Sequence, residues 1–341
     1  MPSPDIITPS QLACLLGTPD VPVVLDVRTD EDFASDPRIL PGTVRRDFRS
    51  VASWTGDFAG RPVAVVCQRG LKLSQGVAAW LRHTGSTAEA LEGGFEAWVA
   101  AGGLLVRPDH VPARDLQGRT LWVTRARPKI DRIACPWLIR RFVNPGAVFL
   151  FVAPSEVLAV ADRFGATPFD VEGVFWSHRD ELCTFDVMVE EFGLRSDPLL
   201  RLAAIVRGAD TARLDLAPEA AGLLAASLGM SRIYREDLAQ LDAAMGLYDA
   251  FYRWARDATN EITTGQRRGQ GMSVKTTSEA VAATDAPEAA LPRLPSFGEA
   301  LRVWLKIGLL SSAARPGRSR CCTARWWTTG AGSRMRASCT R

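Results

Sequence analysis

Two stretches near the N-terminus, VPVVLDV at residues 21–27 and RPVAVVC at 61–67, are apolar almost without a break. That is the pattern of strands buried on both faces of a parallel sheet. Between and after them, helical spacing runs over residues 9–16, 74–83 and 94–101. Strands alternating with helices predict an α/β domain with a parallel sheet over residues 1–108. The segment RPDHVPARD, rich in Pro, Asp and Arg, then marks a boundary near 105–115.

Beyond it the pattern changes. Short strands are expected at 121–124, 147–152 and 175–178, and helices at 155–164, 184–192, 199–207, 219–228 and 235–257. Ser155 and Thr184 are placed to cap their helices, and Gly165 to end the first. A further helix carries Ile133, Trp137, Leu138 and Phe142 at helical spacing and stops at Asn144-Pro145-Gly146. Either Asp131 caps it or Pro136 is its first residue, since proline suits the first turn. Residues 116–258 therefore read as an α+β domain with its helices gathered toward the C-terminal half.

Residues 259–295 have the Gly, Ser, Thr, Ala and Pro composition of a flexible linker. Residues 296–311 then predict an amphipathic helix with Phe297, Leu301, Trp304 or Leu305, and Leu309 on one face, suited to a membrane surface or a partner. From 312 to 341 there is no Leu, Ile, Val or Phe, and the segment is expected to be unstructured.

Composition changes this picture at two points. The net charge of +3 comes from the last segment, whose seven arginines meet no Lys, Asp or Glu; subtracting them leaves −4 for the rest. That distribution weakens any argument from global charge for nucleic-acid binding, and no helix-turn-helix with a basic recognition helix stands out. The seven cysteines include no C-x-x-C, and three lie in that last segment, so neither a disulfide framework nor a zinc ribbon is indicated. With no apolar run long enough to span a bilayer and no signal peptide, a cytosolic location is expected.

Candidate chemistry gathers at two strand ends. Cys67 closes the run 61–67, followed by a loop with Arg69, Gly70 and Lys72 and a helix beginning near Ser74. Loop N–H groups, a helix N-terminus and two cations there all favour a thiolate, which can take sulfur from an anionic donor; the alternative is one more buried cysteine. The second is residues 121–143, LWVTRARPKIDRIACPWLIRRFV, with six bases against one acid. Arg125, Lys129 and Arg132 sit where a strand meets a helix, a place for an anion, or else for a solvated basic face. Cys135 is either a redox-active thiol or buried beside Trp137. His178, Cys183 and Asp186 are metal-type ligands close in sequence, or a structural histidine with a capping aspartate.

Residues 8–106 resemble a rhodanese domain: Leu25-Asp26-Val27-Arg28 at its D-V-R strand end, Leu40-Pro41-Gly42 at its H-I-P-G turn, and Gly93-Gly94-Phe95-x-x-Trp98 at its G-G-F-x-x-W helix. The resemblance implies that Cys67 carries sulfane sulfur. Leu40 stands in place of the turn's usual His, and the loop reads C-Q-R-G-L-K-L-S. The run 121–143, with PFD at 168–170, SH at 177–178, C-x-F-D at 183–186 and IVRGADT at 205–211, resembles the ChrB-type chromate-resistance family. That implies a role toward chromate, a tetrahedral dianion. Residues 296–311 resemble the N-terminal lead-in of chromate transporters. Written in GC-rich codons, SAARPGRSR at 312–320 becomes F-G-G-P-A-G-Q-I-A when one T precedes it, so 312–341 reads as a frameshifted transporter remnant.

The sequence thus points to a cytosolic chromate-resistance protein that senses or processes chromate, with a rhodanese domain carrying sulfur on Cys67. Its partners are expected to be chromate or a sulfur-donor anion. A thiosulfate-type sulfurtransferase and a chromate-responsive transcription regulator are the alternatives.

Overall fold

A computed structural model describes residues 5–261. Its first sheet has five parallel strands in the order β1-β5-β4-β2-β3: Ile6–Ile7, Val23–Asp26, Val44–Arg45, Pro62–Val66 and Thr87–Leu91 for β1 to β5. Helices α1 (Pro9–Leu15), α2 (Asp30–Ser35), α3 (Val51–Trp54), α4 (Lys72–His83) and α5 (Gly94–Ala100) connect and flank them. Along β4, Val63 and Val65 join one buried cluster with α4, while Ala64 and Val66 join another with Leu12, Phe95 and Trp98. Both faces are covered, which is why the run is apolar throughout. Cys67 continues the alternation onto the α4 face.

The expected second domain is built on a smaller parallel sheet, β7-β6-β8, from β6 (Leu121–Arg125), β7 (Val148–Val152) and β8 (Thr167–Pro168). One face packs on α7 (Val157–Phe164) through Val123 and Val157. The other, through Trp122, joins the main core formed with α6 (Asp131–Leu138), α8 (Thr184–Glu191), α9 (Asp197–Asp210), α10 (Ala220–Ile233) and α11 (Asp237–Arg253). Trp137 lies at its centre, ringed by Phe142, Phe185, Tyr248 and Tyr252.

Several boundaries differ from expectation. Helix α6 begins at Asp131, and Pro136 lies inside it, although an interior proline costs about 3 kcal/mol. Six of the other seven residues of α6 are buried, so tertiary packing offsets that penalty. The helix runs on into a π-helical turn, Ile139–Val143, and ends where Asn144 breaks it. Residues 175–178 make a single bridge, Phe169 to Trp176, rather than a strand. Ser155 sits in a 3₁₀ turn and bonds Glu156, and α8 is capped by Cys183 instead of Thr184. Strand β5, TAEAL, was not expected; Ala88, Ala90 and Leu91 are buried, while Thr87 is exposed and Glu89 half-buried.

The two sheets do not stand apart. Ile39 from the first half lies in the main core of the second. The Gly42 amide donates to the Phe142 carbonyl (2.7 Å), and Arg256 donates to the Leu16 carbonyl (3.0 Å). Gly17, at φ +71°, leaves room for Tyr252 and Phe142, which a Cβ would approach to 2.5 and 2.6 Å. Among the described residues no helix is long and apolar enough to cross a membrane. The linker, the amphipathic helix and the last segment expected at 259–341 lie, apart from residues 259–261, outside the described residues.

Candidate functional sites

Cys67 sits just past β4 at the mouth of the loop that leads into α4. Helix α4 starts at Lys72, two residues earlier than expected, which places Ser74 in its first turn and turns its hydroxyl to the thiol. The Sγ to Oγ distance is 3.2 Å, and both residues are buried. The amides of Lys72, Leu73 and Ser74 belong to that first turn, whose N–H groups have no intrahelical acceptor.

The loop is fixed from behind by α5. The Phe95 amide donates to the Cys67 carbonyl (2.9 Å) and the Glu96 amide to the Gln68 carbonyl (3.0 Å). This approach needs Gly94, at φ +62°, because a Cβ there would lie 2.2 Å from the Cys67 oxygen. At Gly70, φ +68°, an added Cβ would likewise lie 2.5 Å from the Leu91 carbonyl oxygen. The cations differ: Arg69 pairs with Glu96 (3.4 Å), whereas exposed Lys72 pairs with no acid among the described residues. Arg28 is structural. Buried, it grips Asp26 (2.7 Å), donates to the carbonyls of Asp36 and Arg38, and stacks over Phe95.

At the other strand end the expected trio separates. Arg125 (3.0 Å) and Arg132 (3.1 Å) both turn onto one buried carboxylate, Asp170, and Arg132 also donates to the carbonyls of Arg125 and Ala126. Lys129 is exposed and lines an open cleft of about 620 Å³ with Arg127 and Arg232.

Asp170 belongs to a cluster that the sequence did not disclose. His178 Nε2 lies 3.4 Å from Asp131, 3.3 Å from Asp170 and 3.5 Å from Asp210. The acids come from α6, from beyond β8 and from the end of α9, so no local spacing connects them. Each does fall inside one of the family-like blocks, KIDRIA, PFD and RGADT. Asp131 does not cap its own helix. Its two oxygens instead receive the amides of Thr184 (2.7 Å) and Phe185 (3.0 Å), the free N-terminus of α8. The Thr184 hydroxyl donates to Asp170 (3.2 Å).

The electrostatics follow from that crowding. Hydrogen bonds to Asp131 and then Asp170 raise His178 to about 10, so the imidazole is held as a cation. Burial, with the charges of Asp131 and Asp170, lifts Asp210 to about 7. Burial opposes ionisation of Asp170, but the His178 hydrogen bond and the charges of Arg132 and Arg125 keep its carboxyl below the usual value. Ligand atoms of Asp131, Asp170 and His178 lie within 4.8 Å of one another, a donor set for a divalent cation once His178 is neutral. As it stands, the imidazolium takes that place.

Cys183 and Asp186 have another role. The Cys183 amide donates to Asp186 (3.0 Å), which also pairs with Arg207 (2.8 Å), closing the N-terminus of α8. Cys135 and Cys183 are fully buried, and burial pushes both thiols well above their ordinary range.

Comparison with known proteins matches this architecture in two parts. Residues 8–101 match the rhodanese-like domain family, and residues 122–255 match the family described as ChrB, C-terminal domain. The curated protein named Protein ChrB, from Cupriavidus metallidurans, is 35% identical over 147 residues; the match covers 42% of this chain and 44% of that relative. Solved structures resemble part of the chain. A rhodanese-like domain protein from Staphylococcus aureus is 26% identical, covering 28% of this chain and 90% of its own, with a TM-score of 0.24. The thiosulfate sulfurtransferase from Pseudomonas aeruginosa is 27% identical over 30% of this chain and 19% of its own, with a TM-score of 0.26. The chain thus joins a rhodanese-like domain to a ChrB C-terminal domain.

Proposed function

We propose that this is a cytosolic chromate-resistance protein whose Cys67 carries sulfane sulfur, with the ChrB C-terminal domain sensing or processing the oxyanion or its products. The observation that carries the reading is the placement of Cys67 at the mouth of a loop braced by Gly70 and Gly94, facing the first turn of α4. With thiosulfate as donor, the thiolate attacks the outer sulfur, the S–S bond of the donor breaks, and sulfite leaves with the electron pair. Cys67 is left as a persulfide. Lys72 and the amides of the loop favour the incoming dianion. A thiol or persulfide is also a reductant, which gives sulfur chemistry a place beside an oxidising oxyanion.

On the ChrB side, Lys129 with Arg232 offers the open basic surface, because Arg125 and Arg132 are occupied by Asp170, and Arg127 by Asp237 and the carbonyls of Ser231, Tyr234 and Arg235. Expression in a chromate-sensitive bacterial host tests the reading. The full chain should raise survival in chromate, and Cys67→Ser should remove part or all of that gain. Equal sensitivity with and without the full chain would refute it. The transporter-remnant reading of 296–341 has its own test: restoring one base after Ser311 in the gene should open a frame encoding spanning helices, and a frame full of stops would end it.

A further inference from the structure

A cavity of about 380 Å³ lies where the two domains meet, walled by Val21, Val44 and Phe58 on one side and Asn144 and Pro145 on the other. It is not the Cys67 site. Its first-domain wall includes Val23 and Arg61, at the starting ends of β2 and β4, whereas Cys67 follows the far end of β4. Five strand residues, roughly 16 Å, separate Arg61 from Cys67, which is not on the cavity wall; Arg46, just after β3, lies nearer the Cys67 end of the sheet.

The charges around this cavity do not balance. Of the arginines on its wall, Arg119 is neutralised by Asp115 and Arg141 by Asp249. Arg46 and Arg61 have no carboxylate within salt-bridge distance among the described residues, and Asp57, also on the wall, pairs with neither. Close to Arg46 stands Arg114, half-buried, whose guanidinium donates only to the Thr43 carbonyl (3.3 Å). Burial and then the neighbouring Arg46 charge both work against its ionisation. Beside them Thr43 is buried, and its hydroxyl has no hydrogen-bond partner. Guanidiniums held close together without an acid ask for a counter-anion.

We infer that this interdomain cavity binds a small organic polyanion, its anionic groups held by Arg46 and Arg61, with the charge of Arg114 close to Arg46, and its apolar body against Val21, Val44 and Phe58. A single tetrahedral oxyanion would fill only a fraction of the volume, which is in the range of small-molecule sites. Because both domains supply the walls, the ligand ties them together. The inference is independent of sulfur transfer at Cys67.

Calorimetric titration of the full chain with ADP, citrate and inorganic pyrophosphate tests it, alongside thermal unfolding of the double variant Arg46→Gln/Arg114→Gln. ADP or citrate should bind once per chain and more tightly than pyrophosphate, which has charge without an apolar body. The double variant should weaken binding by about tenfold or more. Without ligand it should melt no lower than the natural chain, since it removes an unneutralised pair of like charges. Cys67→Ser should leave binding unchanged. If none of the three probes binds, if the double variant binds them equally, or if it melts markedly lower without ligand, the site is refuted.

Discussion

At the scale of the residue, Asp210 and His178 set a pH dependence whose sign can be worked out. His178 is raised from 6.5 to about 10 on folding. Its contribution to stability is therefore whole below pH 6.5 and lost as pH climbs toward 10. Asp210 is raised from 3.8 to about 7, so the fold favours its protonated form, and that contribution is lost between pH 4 and 7. Both act in one direction: stability should fall as pH rises from 4 to 10. Asp170, held below its usual value, acts oppositely and only in more acid solution. Chemical denaturation across this range should show the decline, with Asp210→Asn flattening its lower half and His178→Gln its upper half. An unchanged slope in both variants would contradict the cluster. His178 was singled out by residue type, but the three acids that gather on it could not be found by pattern. Sequence reasoning sees spacing, and Asp131, Asp170 and Asp210 converge only through the packing of α6, β8 and α9. For the same reason the partner of Arg125 and Arg132 was invisible, and an acid-bound pair looked like a free basic junction.

At the scale of the element, two devices can be tested. Asp131 closes the N-terminus of α8 from another helix, so Asp131→Ala should cost about 3 kcal/mol, more than an ordinary surface cap. Its loss should also free His178, whose NMR titration would move down from about 10. The second device is the contact of α5 with the Cys67 loop. Gly94→Ala places a Cβ against the Cys67 carbonyl in a left-handed conformation, and should lower stability by roughly 2 kcal/mol or more while deforming the loop. A variant that keeps both its stability and its Cys67 reactivity would show the loop to be free-standing. Elements with both faces buried, such as β2 and β4, were legible as apolar runs, and α1, α4 and α5 as helical periods. Strand β5 was not, because TAEAL offers small residues and a half-exposed glutamate where a signal was needed. The interior Pro136 misled in the opposite way, since local propensity cannot anticipate a helix whose burial outweighs it.

At the scale of the whole molecule, the described halves share a core. With Ile39 in the second domain's cluster and Gly17 packed on Tyr252 and Phe142, the two should unfold together. Denaturation of the full chain should give one transition, and Gly17→Ala should lower its midpoint or split it; two transitions in the natural chain would mean the domains are independent. The boundary expected near RPDHVPARD rests on a change of pattern along the chain and could not reveal this interlock, which depends on contacts far apart in the chain. The central claim is that Cys67 carries sulfur, and mass spectrometry of the protein after incubation with thiosulfate tests it most directly. The account predicts one added sulfur atom, on the peptide containing Cys67, absent in Cys67→Ser and reduced in Lys72→Ala. No added sulfur on that peptide, or the same gain in Cys67→Ser, would contradict it.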